Sequence, residues 1–460
     1  MKPFLIDSHA HLDNQQFAGD RSEVIQRARD NGISAMVSIG CDLDSSRSNA
    51  ELATRHDDIY AAVGIHPHDA SQLDDSAIEE LRRLTLGNGK VVAIGEIGLD
   101  YFRDHSPRDV QQKAFRRQIA LARELAKPIV VHDREAHADV LTTLVEEKAA
   151  DIGGVLHCFS GDLDMAREVI DLGFYISFPG TITYPKNEAI RQIIETLPIE
   201  SLLVETDCPY LSPQPFRGKR NEPAHVRVTA EALADIKGLT LADVARITSL
   251  NCRKLFGIGE VDLESKIAYQ IRKSLYLNIT NRCTNACRFC AKFKDFTVKG
   301  HQLALPHEPT QTEVIAAIGD PSRYEEVVFC GYGEPLLRLD LVKEVAGWLK
   351  KQGVKVRINT DGQANLVHGR NILPELSGLV DSLSVSLNAA DAETYQKWCQ
   401  SDFGEAGYAA VKEFLLLARG VIPEVVASAV SLPGLDIAAC RKVADELGVE
   451  FREREYNEVG

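Results

Sequence analysis

The chain has 460 residues, of which 26% are charged, and a net charge of -15 at pH 7. That length exceeds one ordinary core, since domains run to roughly 100–200 residues or about 250 for an α/β barrel, so two domains are expected. The acidic balance is spread over both halves and excludes binding to nucleic acid by bulk electrostatics, leaving only local phosphate recognition.

From the start, short β-branched runs alternate with helical patterns: "FLID", "ISAMVSIG", "YAAVGIHP", "VVAIGEIG", "PIVVHD", "GVLHCF", "FYISFPG" and "SLLVETD". Each is followed by an amphipathic stretch or a Gly/Pro-rich turn. Eight such units predict an α/β chain opening with a parallel (β/α)8 barrel over residues 1–258. The charged segment 259–272 reads as a linker. A second alternation follows over 273–460: "SLYLNIT", "EEVVFCG", "VRINTDG", "SLSVSLN", "EVVASAV" and "EFRERE". Six units predict a partial, open (β/α)6 barrel.

Ten cysteines read as reduced thiols, metal ligands or small buried hydrophobes rather than a disulfide framework. The opening "MKPFLIDSHAHLD" has no long apolar run before a small-residue cleavage site, and no apolar run nears the roughly 20 residues that span a bilayer. A cytoplasmic chain without a membrane partner is the expectation.

Chemistry-bearing residues gather at predicted strand ends. "DSHAH" places His9 and His11 two apart, so on an extended chain both rings face one side. "GEIGLDY" adds Glu96, "VVHD" His132, "LHCFSG" His157 and "ETDCPYL" Asp207. The C-terminal rim is where barrel enzymes build their sites. Imidazoles and carboxylates converging there have little structural purpose, because a buried unpaired carboxylate is costly unless it is protonated or binds a cation. Mixed N/O ligands suit Zn, Mn or Mg in a hydrolytic site, with a carboxylate able to bridge two ions. His66 and His68 of "GIHPHD" also fall at a strand end and are expected in the substrate pocket. Arg217, Lys219 and Arg220 of "PQPFRGKRNEP" lie on the loop beyond Asp207, where they could hold a substrate phosphate.

The stretches "DSHAHLD", "GIHPH", "GEIGLDY", "HCFSG", "ETDCPYL" and "RGKRNEP" together resemble the TatD family of metal-dependent deoxyribonucleases. The resemblance implies two divalent ions (Mg, Mn or Zn). It puts His9, His11 and Asp207 on one, His132 and His157 on the other, and Glu96 between them, with Glu96 and Asp207 as the catalytic carboxylates. It further implies 3'-5' exonuclease action on single-stranded DNA or RNA ends. Hydrolysis of a small ester or amide, or D-aminoacyl-tRNA deacylation, is the alternative.

"NRCTNACRFC" opens the second alternation and packs Cys283, Cys287 and Cys290 onto a loop after its first strand. Three such thiolates can bind zinc with a distant fourth ligand, or three irons of a four-iron cluster. The spacing, with Phe289 before the last cysteine, resembles the radical S-adenosylmethionine superfamily. That resemblance implies a [4Fe-4S] cluster and one-electron cleavage of S-adenosylmethionine to methionine and a 5'-deoxyadenosyl radical, with electrons from a flavodoxin or ferredoxin. It places "GYGEP", with Gly333 and Glu334, at the methionine amino group, and Asn359, Ser386 and Asn388 at the carboxylate and ribose. Tyr332 stands where that superfamily has the first glycine of a Gly-Gly-Glu-Pro loop. The radical's target would be a nucleotide, RNA or peptide.

Overall fold

The computed structural model describes residues 4–259, 264–290, 293 and 296–456. Two compact units divide the chain, Met1–Val261 and Asp262–Gly460.

In the first unit, eight parallel strands follow one another in chain order: β1 (Leu5–Ala10), β2 (Ile33–Ile39), β3 (Ile59–Val63), β4 (Val91–Asp100), β5 (Ile129–Arg134), β6 (Gly154–Leu156), β7 (Tyr175–Phe178) and β8 (Leu202–Val204). A parallel bridge between Ala10 and Cys208 joins the two ends. There the His9 carbonyl accepts from the Asp207 N–H and the Cys208 carbonyl from the His11 N–H, each at 2.9 Å. The TIM-type barrel expected from the alternation is the fold of this unit.

Helices start where a short acid or hydroxyl can cap them. Asp42 and Ser45 form a reciprocal capping box at Leu43–Arg55, Thr240 and Asp243 another at Leu241–Phe256, and Asp74 and Asp162 cap Asp75–Gly87 and Leu163–Asp171. Gly257, at φ 62°, ends Leu241–Phe256 in the left-handed conformation that a Cβ disfavours. Strand residues of one parity, such as Met36, Val63, Ile94 and Val131, join helix residues such as Ile25, Leu81, Phe115 and Val140 in one apolar layer. Residues of the other parity, including Ile6, Val37, Ala62, Ala93, Val130 and Leu203, pack with one another, with Phe256 and Ile258 from the chain's end of the unit among them. Two-sided burial explains why the strands read as continuous apolar runs.

The second unit is built on β9 (Ala268–Ile271), β10 (Ser274–Leu277), a two-stranded ribbon of β11 (Thr297–Val298) and β12 (His301–Gln302), β13 (Glu326–Phe329), β14 (Lys355–Thr360), β15 (Ser382–Ser386), β16 (Glu424–Ser431) and β17 (Glu450–Glu455). The main sheet runs β17-β16-β15-β14-β13-β10-β9. Its six expected strands are parallel, and β9 adds an antiparallel edge paired to β10. β9 lies within 259–272, the segment expected as a linker. Four residues with only Tyr269 buried carry too little pattern to stand out as a strand.

One face of this sheet, with Leu275, Phe329, Ile358, Val385 and Ala427, packs on helix residues including Val342, Leu349, Phe414 and Ala444. The other parity carries Tyr276, Glu326, Arg357, Asn359, Ser384, Ser386 and Ser428 and lines a cavity. Among the described residues, no helix of either unit is long and apolar enough to cross a membrane.

Candidate metal centre and cysteine loop

Glu96 sits at the middle of the first site. It extends from β4 and is buried, and imidazoles carried by four other chain segments surround its carboxylate. Oε1 is 2.7 Å from His157 Nε2, 2.8 Å from His132 Nδ1 and 3.5 Å from His66 Nε2; Oε2 is 3.5 Å from His9 Nε2. His9 Nε2 is in turn 3.3 Å from His11 Nε2, and Asp207 Oδ1 lies 3.2 Å from His11 and 3.7 Å from His9. The six expected ligands therefore converge on one rim. These six offer imidazole nitrogen and carboxylate oxygen, and the buried Nδ1 atoms of His9 and His157 have no hydrogen-bond partner among the described residues. Three ligand groups suit a cation by proximity alone: His9–His11–Glu96, His66–Glu96–His132 and His9–His157–Glu205. This donor set fits divalent ions.

Electrostatics agree with that chemistry. Burial by itself would raise the Glu96 pKa, but the charge of His157 and hydrogen bonds from His132 and His157 outweigh it and hold the carboxyl well below its ordinary range. Burial likewise opposes the charge on His157, yet Glu96 and Glu205 raise it well above the usual imidazole value. Asp207 is held low against burial, chiefly by His11.

Further residues join the site that the strand-end reading passed over. Asp100 Oδ2 bonds His132 Nε2 at 3.1 Å and His68 Nε2 at 2.9 Å, while its Oδ1 accepts from the N–H groups of Phe102 and Arg103. A carboxylate behind a ligand imidazole fixes its tautomer and ring orientation. The signal was present, since Glu96, Gly98 and Asp100 alternate along one strand face. Glu205 accepts from Ser177 Oγ at 2.6 Å and the Cys158 N–H at 2.8 Å, with His157 Nδ1 3.6 Å away. Cys41 Sγ lies 3.7 Å from His11 Nδ1 and 3.9 Å from Glu96. His66, expected only as a pocket residue, sits directly on Glu96. Its Nδ1 accepts from the His68 N–H at 3.1 Å, and burial pushes its pKa down to about 4, so the neutral ring carries its proton on Nε2.

The basic loop divides. Arg220 forks onto Asp20 at 2.7 and 2.8 Å and covers the Phe17 ring, and Arg217 lies over the Tyr184 ring. Lys219 is exposed.

In the second unit the cysteine loop is fastened on both sides. The N–H groups of Ala286 and Arg288 donate to the carbonyls of Cys399 at 3.0 Å and Trp398 at 2.9 Å. Asn285, Gln363 and Tyr395 form a buried hydrogen-bonded trio, and Thr284 Oγ1 donates to Asp361. Cys283, Cys287 and Cys290 stay half-buried, and Cys283 Sγ is 3.9 Å from Asp361. Phe289 packs on the adjoining apolar core.

The "GYGEP" loop closes against this segment. A Cβ on Gly333 would lie 2.2 Å from the Thr280 carbonyl oxygen and 2.5 Å from that of Arg282, so only glycine fits. Glu334 turns inward as a brace: Oε1 accepts from the Leu336 N–H and Thr360 Oγ1, each at 2.9 Å, and Oε2 from the Asp361 N–H at 2.6 Å. Burial and the Asp361 carboxylate push its pKa well above the ordinary range. Tyr332 points its ring away, edge-on to Phe296, and its hydroxyl donates to the Thr297 carbonyl at 2.8 Å. Asn359 and Ser386 line the cavity, and buried Asn388 accepts from the Val430 N–H at 3.3 Å and from Arg454 at 3.4 Å.

Known proteins divide along the same boundary. Residues 6–257 match the family model described as TatD related DNase, and residues 277–447 match the Radical SAM superfamily model. The uncharacterized metal-dependent hydrolase YabD of Bacillus subtilis is 44% identical over 255 residues, which are 55% of this chain and 100% of that protein. A protein of Shigella flexneri named 3'-5' ssDNA/RNA exonuclease TatD is 35% identical over 260 residues, again 55% of this chain and 100% of its own. The crystal structure of YJJV, a TatD homolog from Escherichia coli K12, superposes with a TM-score of 0.54 at 32% identity, covering 56% of this chain and 100% of that one.

Proposed function

Because the chain belongs to the TatD related DNase family through residues 6–257 and carries a Radical SAM superfamily domain over residues 277–447, we propose that it is a two-centre enzyme. On this reading the first unit is a divalent-metal hydrolase that removes nucleotides from the 3' ends of single-stranded DNA or RNA. The second is a radical S-adenosylmethionine enzyme. The observation that carries the reading is the gathering of ligand side chains from β1, β4, β5, β6 and β8 around Glu96, on a rim separate from the fastened three-cysteine loop.

His9, His11 and Asp207 would hold one ion and His132 and His157 a second, with Glu96 shared. Ions so held polarise a phosphodiester oxygen and lower the pKa of water. The protein's own residues supply the rest. Glu96 stays deprotonated in a buried setting, its carboxylate set between the rings of His132 and His157 on one oxygen and His9 on the other. Asp100 orients the His132 ring from behind, and His66 presents a protonated Nε2 beside Glu96. Arg217 and Lys219 would meet substrate phosphate. Arg220, already paired with Asp20, would brace that loop. The Shigella relative, a 3'-5' ssDNA/RNA exonuclease by name, supports the choice of single-stranded ends.

In the second unit Cys283, Cys287 and Cys290 would hold a [4Fe-4S] cluster that passes an electron, received from a flavodoxin or ferredoxin, to S-adenosylmethionine. Gly333 allows the "GYGEP" backbone to approach the cysteine loop, Glu334 keeps that loop's shape, and Asn359, Ser386 and Asn388 would take the carboxylate and ribose.

The test is a 3'-labelled single strand incubated with the manganese-loaded chain, beside an anaerobic incubation of the cluster-reconstituted chain with S-adenosylmethionine and a reductant. Nucleotide release from the 3' end and formation of 5'-deoxyadenosine support the two assignments separately. An intact strand or intact S-adenosylmethionine removes the corresponding one.

A further inference from the structure

The face of the second sheet turned away from its helices holds a cavity of about 380 Å³, within the range of small-molecule sites. Its charge is opposite to that of the chain. Arg357, Arg452 and Arg454 line it against one carboxylate, Glu326, an excess of two positive charges in a protein whose net charge is -15.

Only part of that charge serves the fold. Glu326 neutralises Arg357 through contacts of 2.8 and 3.1 Å, and Asn359 accepts a further bond from it at 2.8 Å. Arg454 reaches Asn388 at 3.4 Å, and Arg452 makes no hydrogen bond or ion pair among the described residues. Ser428 and Val430 of β16 pair with Arg452 and Arg454 of β17, so both guanidinium groups flank the serine-lined face. On that face the hydroxyls of Ser384 and Ser386 also have no hydrogen-bond partner among the described residues, and both line the cavity.

An edge strand is often charged simply to block pairing with another sheet. Here, however, sign sorts with parity along the last four residues of the strand, Arg452–Glu455. Arg452 and Arg454 line the cavity, while Glu453 and Glu455, which would have neutralised it, alternate to the other side. Like charges collected around a concave polar space are relieved by an anion, and guanidinium groups match oxyanions through paired N–H donors.

We propose that this cavity seats the small substrate of the second unit by a phosphate or carboxylate group, held by Arg452 and Arg454 with Ser384 as a further donor. This deepens the radical S-adenosylmethionine reading and rests on it for the word substrate. Asn359 and Ser386 line the same cavity, which brings an anchored molecule to the cofactor's residues.

The experiment is isothermal titration of the full chain, freed of metal on a chelating resin so that the first unit carries no cation, with inorganic pyrophosphate and, separately, succinate. One saturable site per chain is expected, weakening with added salt. Arg452→Ala and Arg454→Ala should each weaken the better probe on the order of tenfold, as for loss of one charged hydrogen-bonding partner. Arg452→Lys, which keeps the charge and loses the fork, should weaken it less. Lys351→Ala, on the outer helix Leu339–Lys351, should not change it. The stronger probe distinguishes a phosphate-bearing substrate from a carboxylate-bearing one. Absence of saturable binding of either probe, or equal affinity in the arginine variants, overturns the proposal. Displacement of the probe by S-adenosylmethionine would give these arginines to the cofactor's carboxylate and also overturn it. 5'-Deoxyadenosine formation by the unsubstituted, reconstituted chain is measured alongside. Anion binding without it would remove the radical reading and keep the anion site, whereas formation without anion binding would do the reverse.

Discussion

Replacing Glu96 with glutamine keeps the shape and one acceptor oxygen of the side chain at the middle of the first site and removes its charge. His157, His132, His66 and His9 all lie within 3.5 Å of that carboxylate, so one substitution acts on both proposed ions. An ion at a hundredfold excess over its Kd stabilises the fold that binds it by about 2.7 kcal/mol, so two ions stabilise the unsubstituted unit by about 5 kcal/mol. Loss of even a supporting group around a metal weakens affinity about 10- to 100-fold, and a shared charged ligand should matter at least as much. At fixed metal concentration the gain then falls to between about 1 and 3 kcal/mol. For a unit of this size each kcal/mol moves Tm by about 2–4 °C, so the metal-induced shift of roughly 10–20 °C should shrink by about half or more. The assay is scanning calorimetry of the metal-free chain with and without manganese, for the unsubstituted protein and Glu96→Gln. Each is compared with its own metal-free transition, so any intrinsic cost of the substitution drops out. An unchanged manganese-induced shift in the variant would refute the view that Glu96 is shared between ions.

Two further outcomes concern how the sites are held. Arg220, and to a lesser extent Arg27, lower the Asp20 pKa from 3.8 to about 2, so the unfolded chain binds the proton more readily between these values. The stabilisation is therefore complete above about pH 4 and lost as pH falls towards 2. Because Asp20 is 36% exposed, it should amount to less than about 1 kcal/mol after solvent screening. Urea unfolding at pH 5 and pH 2.5 should show a smaller pH dependence for Asp20→Asn, and an identical slope would contradict the pairing. Gly333→Ala forces a Cβ to within 2.5 Å of two backbone carbonyl oxygens and should cost about 1–3 kcal/mol, with reduced iron retention after reconstitution. Unchanged denaturation together with unchanged iron content would show that the two loops do not meet as described.

Hydrophobic periodicity made both alternations legible, because strands buried on two faces must be apolar along their length. The ligand histidines and carboxylates were legible for the complementary reason that polar groups at such strand ends stand out. Asp100 and Glu205 were harder to recognise, since they act on His132 and His157 from behind and their partners are distant in the chain. The strand-end position of His66 fits a pocket residue equally well, and only the folded chain brings its Nε2 to Glu96. β9 and the β11–β12 ribbon are too short to carry a period, at four and two residues each. "EFRERE" is legible as a strand, but only the pairing of β16 with β17 sets Arg452 beside Ser428 and so brings its arginines to the serine-lined face.

The central claim is that one chain carries two separate catalytic centres. Its most direct test is a single chromatogram of nucleotides and 5'-deoxyadenosine from manganese-loaded, cluster-reconstituted protein given a single strand, S-adenosylmethionine and reductant. Parallel samples carry His157→Ala or Cys287→Ala. The account predicts both products from the unsubstituted chain, loss of nucleotide alone from His157→Ala, and loss of 5'-deoxyadenosine alone from Cys287→Ala. Neither product from the unsubstituted chain, or loss of both in either variant, would contradict it.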